Sequence, residues 1–206
     1  MKTTDDVYYT IARESSEEIK RKGSRFIAEA FETPTLQTVT DRLEMVRKRE
    51  HAATHHCFAW RVGLEDSIEF KYSDDGEPSG TAGKPIFDAV CGRELTNILV
   101  VVTRYFGGTK LGTGGLVRAY GDSAAAALDQ AGRRKNFILR HLRVTIGFSL
   151  YDQIMKLLAQ HDARQIDAEF TSNVVMVIEA RRSRIAGLRE NLVQISAGRA
   201  KIDELD

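Results

Sequence analysis

The stretch from Asn97 to Gly121 constrains the fold more than any other part of the 206-residue sequence. It opens with five consecutive apolar residues, Ile98 to Val102, and a short β-branched run of this kind predicts a strand buried on both faces. A glycine-rich turn follows, and the segment that begins at Leu116 has the composition of a helix continuing through Ala127. The sequence therefore predicts a buried strand, a glycine-rich turn and a helix in that order.

The glycine-rich turn has the physical features of an anion site. The first turn of the helix offers unpaired N–H groups and the positive end of the helix dipole, and no acidic residue lies between Glu94 and Asp122. We therefore predict a site for an anion, most readily a phosphate. Its predicted residues are Arg104, Lys110, Gly112, Gly114, Gly115 and Arg118, with Lys22 and Arg25 extending the basic patch.

The turn fits neither of the two familiar nucleotide motifs. No Gly-Lys-Ser/Thr sequence of a Walker A loop is present, and Val117 stands where a dinucleotide fingerprint starting at Gly112 requires its third glycine. Glycines that serve only a close-packed connection, without a ligand, are therefore an alternative interpretation.

A second unusual stretch, Ser73 to Ile86, contains the neighbouring acids Asp74, Asp75 and Glu77. These carboxylates could bind Mg²⁺ or act in acid–base chemistry, or Asp75 and Glu77 could pair with basic residues of the glycine-rich stretch, Arg104 or Lys110. Acids in a loop rich in Gly, Pro and Ser are more typical of turns and helix caps. We predict no catalytic residue and no cofactor.

Metal binding by the two consecutive histidines, His55 and His56, is not predicted. They lie on a predicted strand, where successive side chains point to opposite faces, so one metal ion cannot take both.

Composition excludes several classes of protein. The net charge of +1 gives no global electrostatic case for nucleic-acid binding, so any such binding must come from a local patch. Two cysteines without a metal-ligand or CxxC spacing fit a reducing compartment. No signal-peptide pattern and no apolar run long enough to span a membrane are present, which predicts a cytoplasmic protein without a membrane partner.

The elements along the chain predict an α+β fold with two domains, at 1–134 and 135–206. In the first, Val7 to Ile11 is a predicted strand, Ser15 to Lys22 is a polar, solvated segment, and Gly132 to Asn136 is a short basic linker. In the second, strict alternation from Leu142 to Leu150 begins a βαββαβ order, the ferredoxin-like split βαβ unit. The predicted central strand around Val174 to Ile178 lacks the aromatic residues of a typical RNA-binding sheet.

Three motifs resemble the IMPACT/YigZ family, in its order and spacing. They are Lys22 to Phe26, Asp74 to Gly83, and Val102 to Gly108 with Leu111 to Leu116. The resemblance implies a first domain with the βαβ-containing fold shared by a ribosomal small-subunit protein, elongation factor G domain IV and small-molecule kinases. It implies a second, ferredoxin-like domain similar to elongation factor G domain V, as in bacterial YigZ-type members.

The resemblance implies a link to translational control, in which eukaryotic members of that family compete for an activator of a stress kinase that acts on initiation. Those members carry an N-terminal RWD domain that this sequence does not show, so their mechanism is not carried over. Fold analogy alone links the bacterial members to RNA or the ribosome. Two hypotheses follow. The first is a non-enzymatic regulator linked to translation that binds RNA, the ribosome or a protein partner through the basic glycine-rich surface. The second is an enzyme or nucleotide-binding protein that holds a small phosphorylated ligand and uses Asp74, Asp75 or Glu77.

Overall fold

The computed structural model describes residues 6–205, which form two compact units. One unit is Tyr8–Asn136, and the other contains residues 137–205 together with residues 6 and 7. The chain therefore leaves the first unit two residues after the predicted domain boundary. Residues 1–5 and 206 of the predicted domains lie outside the described range.

The first unit is built on a five-stranded sheet in the order β2-β3-β6-β4-β5, with every neighbouring pair antiparallel. Since β3 and β4 both run antiparallel to β6, helix α1 joins two parallel strands, which gives the predicted βαβ arrangement. The strands of this sheet are β2 (Ser15–Arg21), β3 (Ser24–Glu32), β4 (His55–Val62), β5 (Glu69–Ser73) and β6 (Ile98–Tyr105). Two further strands, β1 (Val7–Ile11) and β7 (Arg133–Phe137), lie outside it. The helices are α1 (Leu36–Arg49), α2 (Gly83–Cys91) and α3 (Thr113–Ala131).

Strand β6 is buried on both faces, as its apolar run predicts. Val100 and Val102 face the core formed with α2 and α3, whereas Leu99 and Val101 face the smaller core under α1. The alternating side chains of one central strand thus hold helices on both sides of the sheet. Helix α1 begins after Thr35, whose side chain accepts a hydrogen bond from the Thr38 amide, as expected for a cap residue.

Two segments without predicted strands are strands in the structure. The polar segment β2 pairs with β3 as the edge of the sheet, where charged side chains are tolerated because one side of the strand faces solvent. The predicted basic linker forms β7, which pairs with β1 in a separate two-stranded sheet. The Arg133 guanidinium lies 3.3 Å from the centroid of the Tyr9 ring, which stabilises that pairing.

The second unit is the predicted ferredoxin-like βαββαβ fold. Its elements are β8 (Leu139–Ile146), α4 (Tyr151–Gln160), β9 (Arg164–Phe170), β10 (Val174–Arg181), α5 (Arg182–Ile195) and β11 (Lys201–Leu205). The sheet order is β11-β8-β10-β9, all antiparallel. Residues of one parity on β8 and β10, such as Val144 and Met176, pack against Ile154 and Leu188 of the helices.

Candidate functional site

The glycine-rich turn after β6 is fixed against the β2–β3 hairpin. Lys22 and Gly23 form the hairpin turn, both with positive φ, the conformation of a two-residue turn. A Cβ atom at Gly107 would lie 1.9 Å from the Gly23 carbonyl carbon, so the two backbones can meet only because both residues are glycine. The Gly107 amide also donates to the Ser24 hydroxyl at 3.1 Å. This contact brings Lys22 beside the glycine-rich turn.

The glycines beyond Gly107 differ in what their surroundings require. Gly108 and Gly112 have positive φ, which accounts for glycine at both positions. At Gly115 a Cβ atom would lie 3.0 Å from Leu111 Cβ, which is a packing reason. Gly114 has neither reason, because its φ is not positive and a Cβ atom there would have no neighbour within 4 Å in the described chain. The backbone at Gly114 is thus left open to solvent.

Helix α3 begins beside this open backbone. Its N-cap residue is Gly112, and no side chain within residues 6–205 caps the first turn. The first helical bond runs from the Leu116 amide to the Gly112 carbonyl, which leaves the preceding amides outside the helical ladder.

Three of the predicted basic residues, Lys22, Lys110 and Arg118, are exposed and form no ion pair in the described chain. Arg118 lies four residues after Gly114, and positions i and i+4 share a helix face. Its own i+4 acid, Asp122, pairs instead with Arg21 at 3.5 Å. Cationic charge therefore remains available around the turn on the hairpin, the loop and the helix.

Two other predicted basic residues are already paired. Arg25 is exposed and binds Glu18 at 2.8 Å, and this ion pair holds the pKa of Glu18 below its usual range. The Arg104 side chain is only 6% exposed, and its Nη1 donates to Glu77 Oε1 at 2.5 Å. The other nitrogen, Nη2, reaches the Ser24 hydroxyl at 3.4 Å. Arg104 thus lies beneath the surface and separate from the exposed cations.

Asp74 caps helix α2. Its Oδ1 accepts from the amides of Ala82 and Gly83 at 2.9 and 2.8 Å, and its Oδ2 accepts from the Gly80 amide at 2.8 Å. Burial of the carboxylate acts to raise its pKa, but these three N–H donors outweigh it and hold the pKa below the usual range. Both oxygens are therefore occupied by backbone donors.

Asp75 ties the acidic loop to β4 and α1. Its Oδ2 accepts from the His56 amide at 2.6 Å, its Oδ1 accepts from Arg47 at 3.3 Å, and its carbonyl oxygen lies 2.8 Å from His55 Nδ1. The side chain of His56 turns elsewhere, with Nε2 3.2 Å from the Glu50 carbonyl. The two histidines are thus separated, as the strand alternation predicts.

Glu77 is at the centre of a buried polar cluster. It accepts from Arg104 and, at 2.7 Å, from the Tyr120 hydroxyl, while His55 Nε2 lies 3.8 Å away. Nearby, the Cys57 thiol donates to the Asp74 carbonyl at 3.0 Å, and burial raises the pKa of Cys57 to about 12. Burial also raises the pKa of Tyr120 well above its ordinary range, so its hydroxyl remains a donor. The Glu77–Arg104 pair is one of the pairings that the sequence suggests.

The sequence did not indicate Tyr120, Cys57 or Ser24 as members of this cluster. Tyr120 follows an apolar helix face and Cys57 an apolar strand, so only their polar atoms distinguish them from core residues. Within residues 6–205, no group of three or more His, Cys, Asp or Glu side chains is placed so that it could hold a metal ion. Within the same range, none of the helices has the length and apolar character needed to cross a membrane.

Comparison with known proteins identifies both units. The model of the Impact N-terminal domain matches residues 22–128, and that of a domain of unknown function, DUF1949, matches residues 144–199. The chain belongs to the IMPACT family. The family member YigZ of Escherichia coli is 36% identical over 88% of this chain and 89% of its own length. YvyE of Bacillus subtilis is 32% identical over 96% and 90%.

Other relatives of this IMPACT family chain extend the comparison. A solved structure described as a hypothetical protein superposes with a TM-score of 0.71 at 32% identity and covers 98% of both chains. The IMPACT homologue of Dictyostelium discoideum is 35% identical over 100 residues, which are 48% of this chain and 28% of that protein. Membership of this family, with its eukaryotic homologues, is consistent with a translation-related regulator.

Proposed function

We propose that this protein is a non-enzymatic cytoplasmic regulator linked to translation, which binds RNA or the ribosome through the surface formed by Lys22, Lys110, Arg118 and Gly112 to Gly115. We call this the glycine–lysine surface. In a second form of the proposal, the same surface binds a protein partner. The binding experiment has a separate outcome for this form. Two free cysteines suit a reducing compartment.

The observation that carries the proposal is that Arg118 has no hydrogen-bond or ion-pair partner within its unit. Among residues 8–136, all of them described, it is the one arginine for which the structure gives neither a hydrogen bond nor an ion pair. The other arginines of the unit each contact a carboxylate or a carbonyl oxygen, as Arg93 does with Asp129. An arginine without a partner beside open backbone N–H groups offers the donors that a phosphodiester chain uses.

Gly114 supports the same surface independently. Glycine is a poor helix former compared with alanine, and at Gly114, the second residue of α3, neither conformation nor packing requires it. Close approach of a ligand to the backbone is a reason for a glycine in such a place. Arg104 and Arg25 belong to the support of the surface in this proposal, because their charges are matched by Glu77 and Glu18.

The alternative of a phosphorylated-ligand enzyme finds no comparable support. The oxygens of Asp74 and Asp75 accept hydrogen bonds from the protein itself, and Glu77 is bonded to Arg104 and Tyr120. A role as general base or Mg²⁺ ligand would require these contacts to break.

The test measures binding of a fluorescent single-stranded RNA and of ribosomes over a series of salt concentrations. Lys110→Ala and Arg118→Ala should each weaken binding and lower the slope of log affinity against log salt by about 0.7. Gly114→Ala should weaken binding while raising thermal stability. The matched control is Lys48→Ala, an exposed lysine on α1, which covers the other face of the sheet.

Unchanged RNA and ribosome affinity in Lys110→Ala, Arg118→Ala and Gly114→Ala would overturn the assignment of the surface. Capture of a protein partner that survives nuclease treatment, and that is lost in Arg118→Ala but not in Lys48→Ala, would favour the protein-binding form.

A further inference from the structure

Phe106 is an exposed aromatic residue held on a fixed backbone. Its side chain and backbone together are 48% exposed, although the residue directly follows the central strand β6. The Phe106 amide donates to the Thr54 hydroxyl at 3.2 Å, and the next residue is Gly107, whose backbone is held against Gly23. The position of this ring is therefore set by the sheet and not by a mobile loop.

One face of the Phe106 ring is covered from inside the protein. The Arg104 guanidinium lies over it, 5.4 Å from the ring centroid, and also lies 5.5 Å from the centroid of Phe26. Arg104 is 5% exposed, so the covered face of Phe106 points toward the interior. Glu77 neutralises the charge of Arg104. The Phe106 ring thus packs on the guanidinium with one face, and its other face is toward solvent.

Other exposed aromatic residues of the first unit are covered differently. Phe70 is 56% exposed, but its ring stacks on Phe87 at 4.8 Å, and Tyr72 packs on the same ring at 5.6 Å. No aromatic ring of the described chain stacks on Phe106. An open aromatic face on a rigid support is the arrangement on which an unpaired base stacks in single-strand binding proteins.

The charges beside Phe106 indicate the ligand to which such a base belongs. The Gly23–Gly107 contact places the turn residue Lys22 next to the segment, and Lys110 follows four residues later. Both lysines are exposed and free of acidic partners in the described chain. Cations on the segments next to an exposed aromatic ring suit the phosphates that flank a base, whereas an apolar peptide needs no such charges.

We propose that Phe106 stacks on an unpaired base of single-stranded RNA while Lys22 and Lys110 contact the neighbouring phosphates. This inference rests on the proposed function and specifies single-stranded RNA as the form that the glycine–lysine surface binds. Duplex RNA is expected to bind more weakly, because its bases are not available for stacking.

The test uses a single-stranded RNA oligonucleotide and an abasic strand of the same length and charge. Phe106→Ala should weaken binding of the RNA about tenfold and leave binding of the abasic strand unchanged. Phe106→Leu, which keeps an apolar side chain over Arg104, should behave like Phe106→Ala, and Phe106→Tyr should retain affinity. The salt slope should stay at its wild-type value in all three. Phe70→Ala is the matched control and should bind as wild type.

A spectroscopic arm reports stacking directly. The chain has one tryptophan, Trp60, so Phe106→Trp in a Trp60→Phe background carries a single reporter. Its fluorescence should be quenched by the RNA and not by the abasic strand. Absence of quenching, or equal loss of both ligands in Phe106→Ala, overturns the stacking proposal. If RNA binding depends on Lys110 but not on Phe106, stacking fails while the proposed function stands. If the wild type binds neither RNA nor ribosomes, the stacking proposal and the RNA- and ribosome-binding form of the proposed function both fail.

Discussion

Neutralising Glu77 is the perturbation that tests how the glycine-rich turn is supported. The Arg104 and Glu77 side chains are 6% and 4% exposed, and the Nη1–Oε1 distance is 2.5 Å. The second contact of the guanidinium, to Ser24, is a long one at 3.4 Å, and Nε has no hydrogen-bond partner within residues 6–205. Glu77→Gln therefore leaves a buried guanidinium without an opposing charge.

The expected cost is about 3 kcal/mol of unfolding free energy. Opposite charges 4 Å apart attract by about 4 kcal/mol at an effective dielectric constant of 20. Removal of one partner of a buried pair costs about 3–5 kcal/mol because the other charge stays desolvated. The lower end applies here, since a glutamine oxygen still accepts from Arg104 and from the Tyr120 hydroxyl.

Urea unfolding followed by tryptophan fluorescence measures this cost in the first unit alone. Trp60 lies on β4, so its signal reports the unit that contains the pair. Glu18→Gln is the matched control, because Glu18 pairs with Arg25 at the surface, where an ion pair contributes little. The double variant Glu77→Gln with Arg104→Met removes both charges and should recover most of the stability.

A loss below about 1 kcal/mol in Glu77→Gln would refute the reasoning, since solvent or another group would then be satisfying the guanidinium. Simple addition of the two single losses in the double variant would refute it as well, because two coupled charges must show a coupling energy.

Three further outcomes are expected. Gly107→Ala should lower stability by about 3 kcal/mol, measured by urea unfolding, because its Cβ would lie 1.9 Å from the Gly23 carbonyl carbon; a loss within error would contradict the close contact. Asp74→Ala should cost about 2 kcal/mol at pH 7. Because the pKa of Asp74 is lowered in the folded state, the difference in unfolding free energy between wild type and Asp74→Ala should be complete above about pH 5. It should shrink as the pH falls through the folded pKa, and a difference independent of pH would contradict this. Thiol titration of the native protein should modify the exposed Cys91 first, and Cys57 only on unfolding; rapid native labelling of Cys57 would contradict its burial.

The parts of the fold that the sequence predicted share one property, an unambiguous apolar pattern. The five-residue run of β6 and the strict alternation of β8 specify buried strands whatever their neighbours are. The polar strand β2 and the basic strand β7 have no such pattern. They are strands because β3 and β1 supply their hydrogen-bonding partners, and pairing between distant segments is invisible in a local window.

The candidate site was likewise predictable from the sequence only in part. Composition and spacing indicated a basic, glycine-rich region, and they could not say which of its cations are free, because that depends on acids brought in from other segments. Arg25 is matched by Glu18 of the neighbouring strand, whereas Lys110 and Arg118 are reached by no acid in the described chain.

Strand alternation nevertheless contains the information that separates Arg104 from the exposed cations. Arg104 has the same parity as Val100 and Val102, which both face the core under α2 and α3. A guanidinium on that face must be buried and must have a carboxylate partner, because an unpaired buried charge is too costly. Of the two acids that the sequence offered as partners, Asp75 is held by β4, and Glu77 alone reaches the guanidinium. The parity of one strand thus assigns Arg104 to the support of the turn, and it leaves Lys22, Lys110 and Arg118 as the exposed cations that the proposal assigns to a ligand.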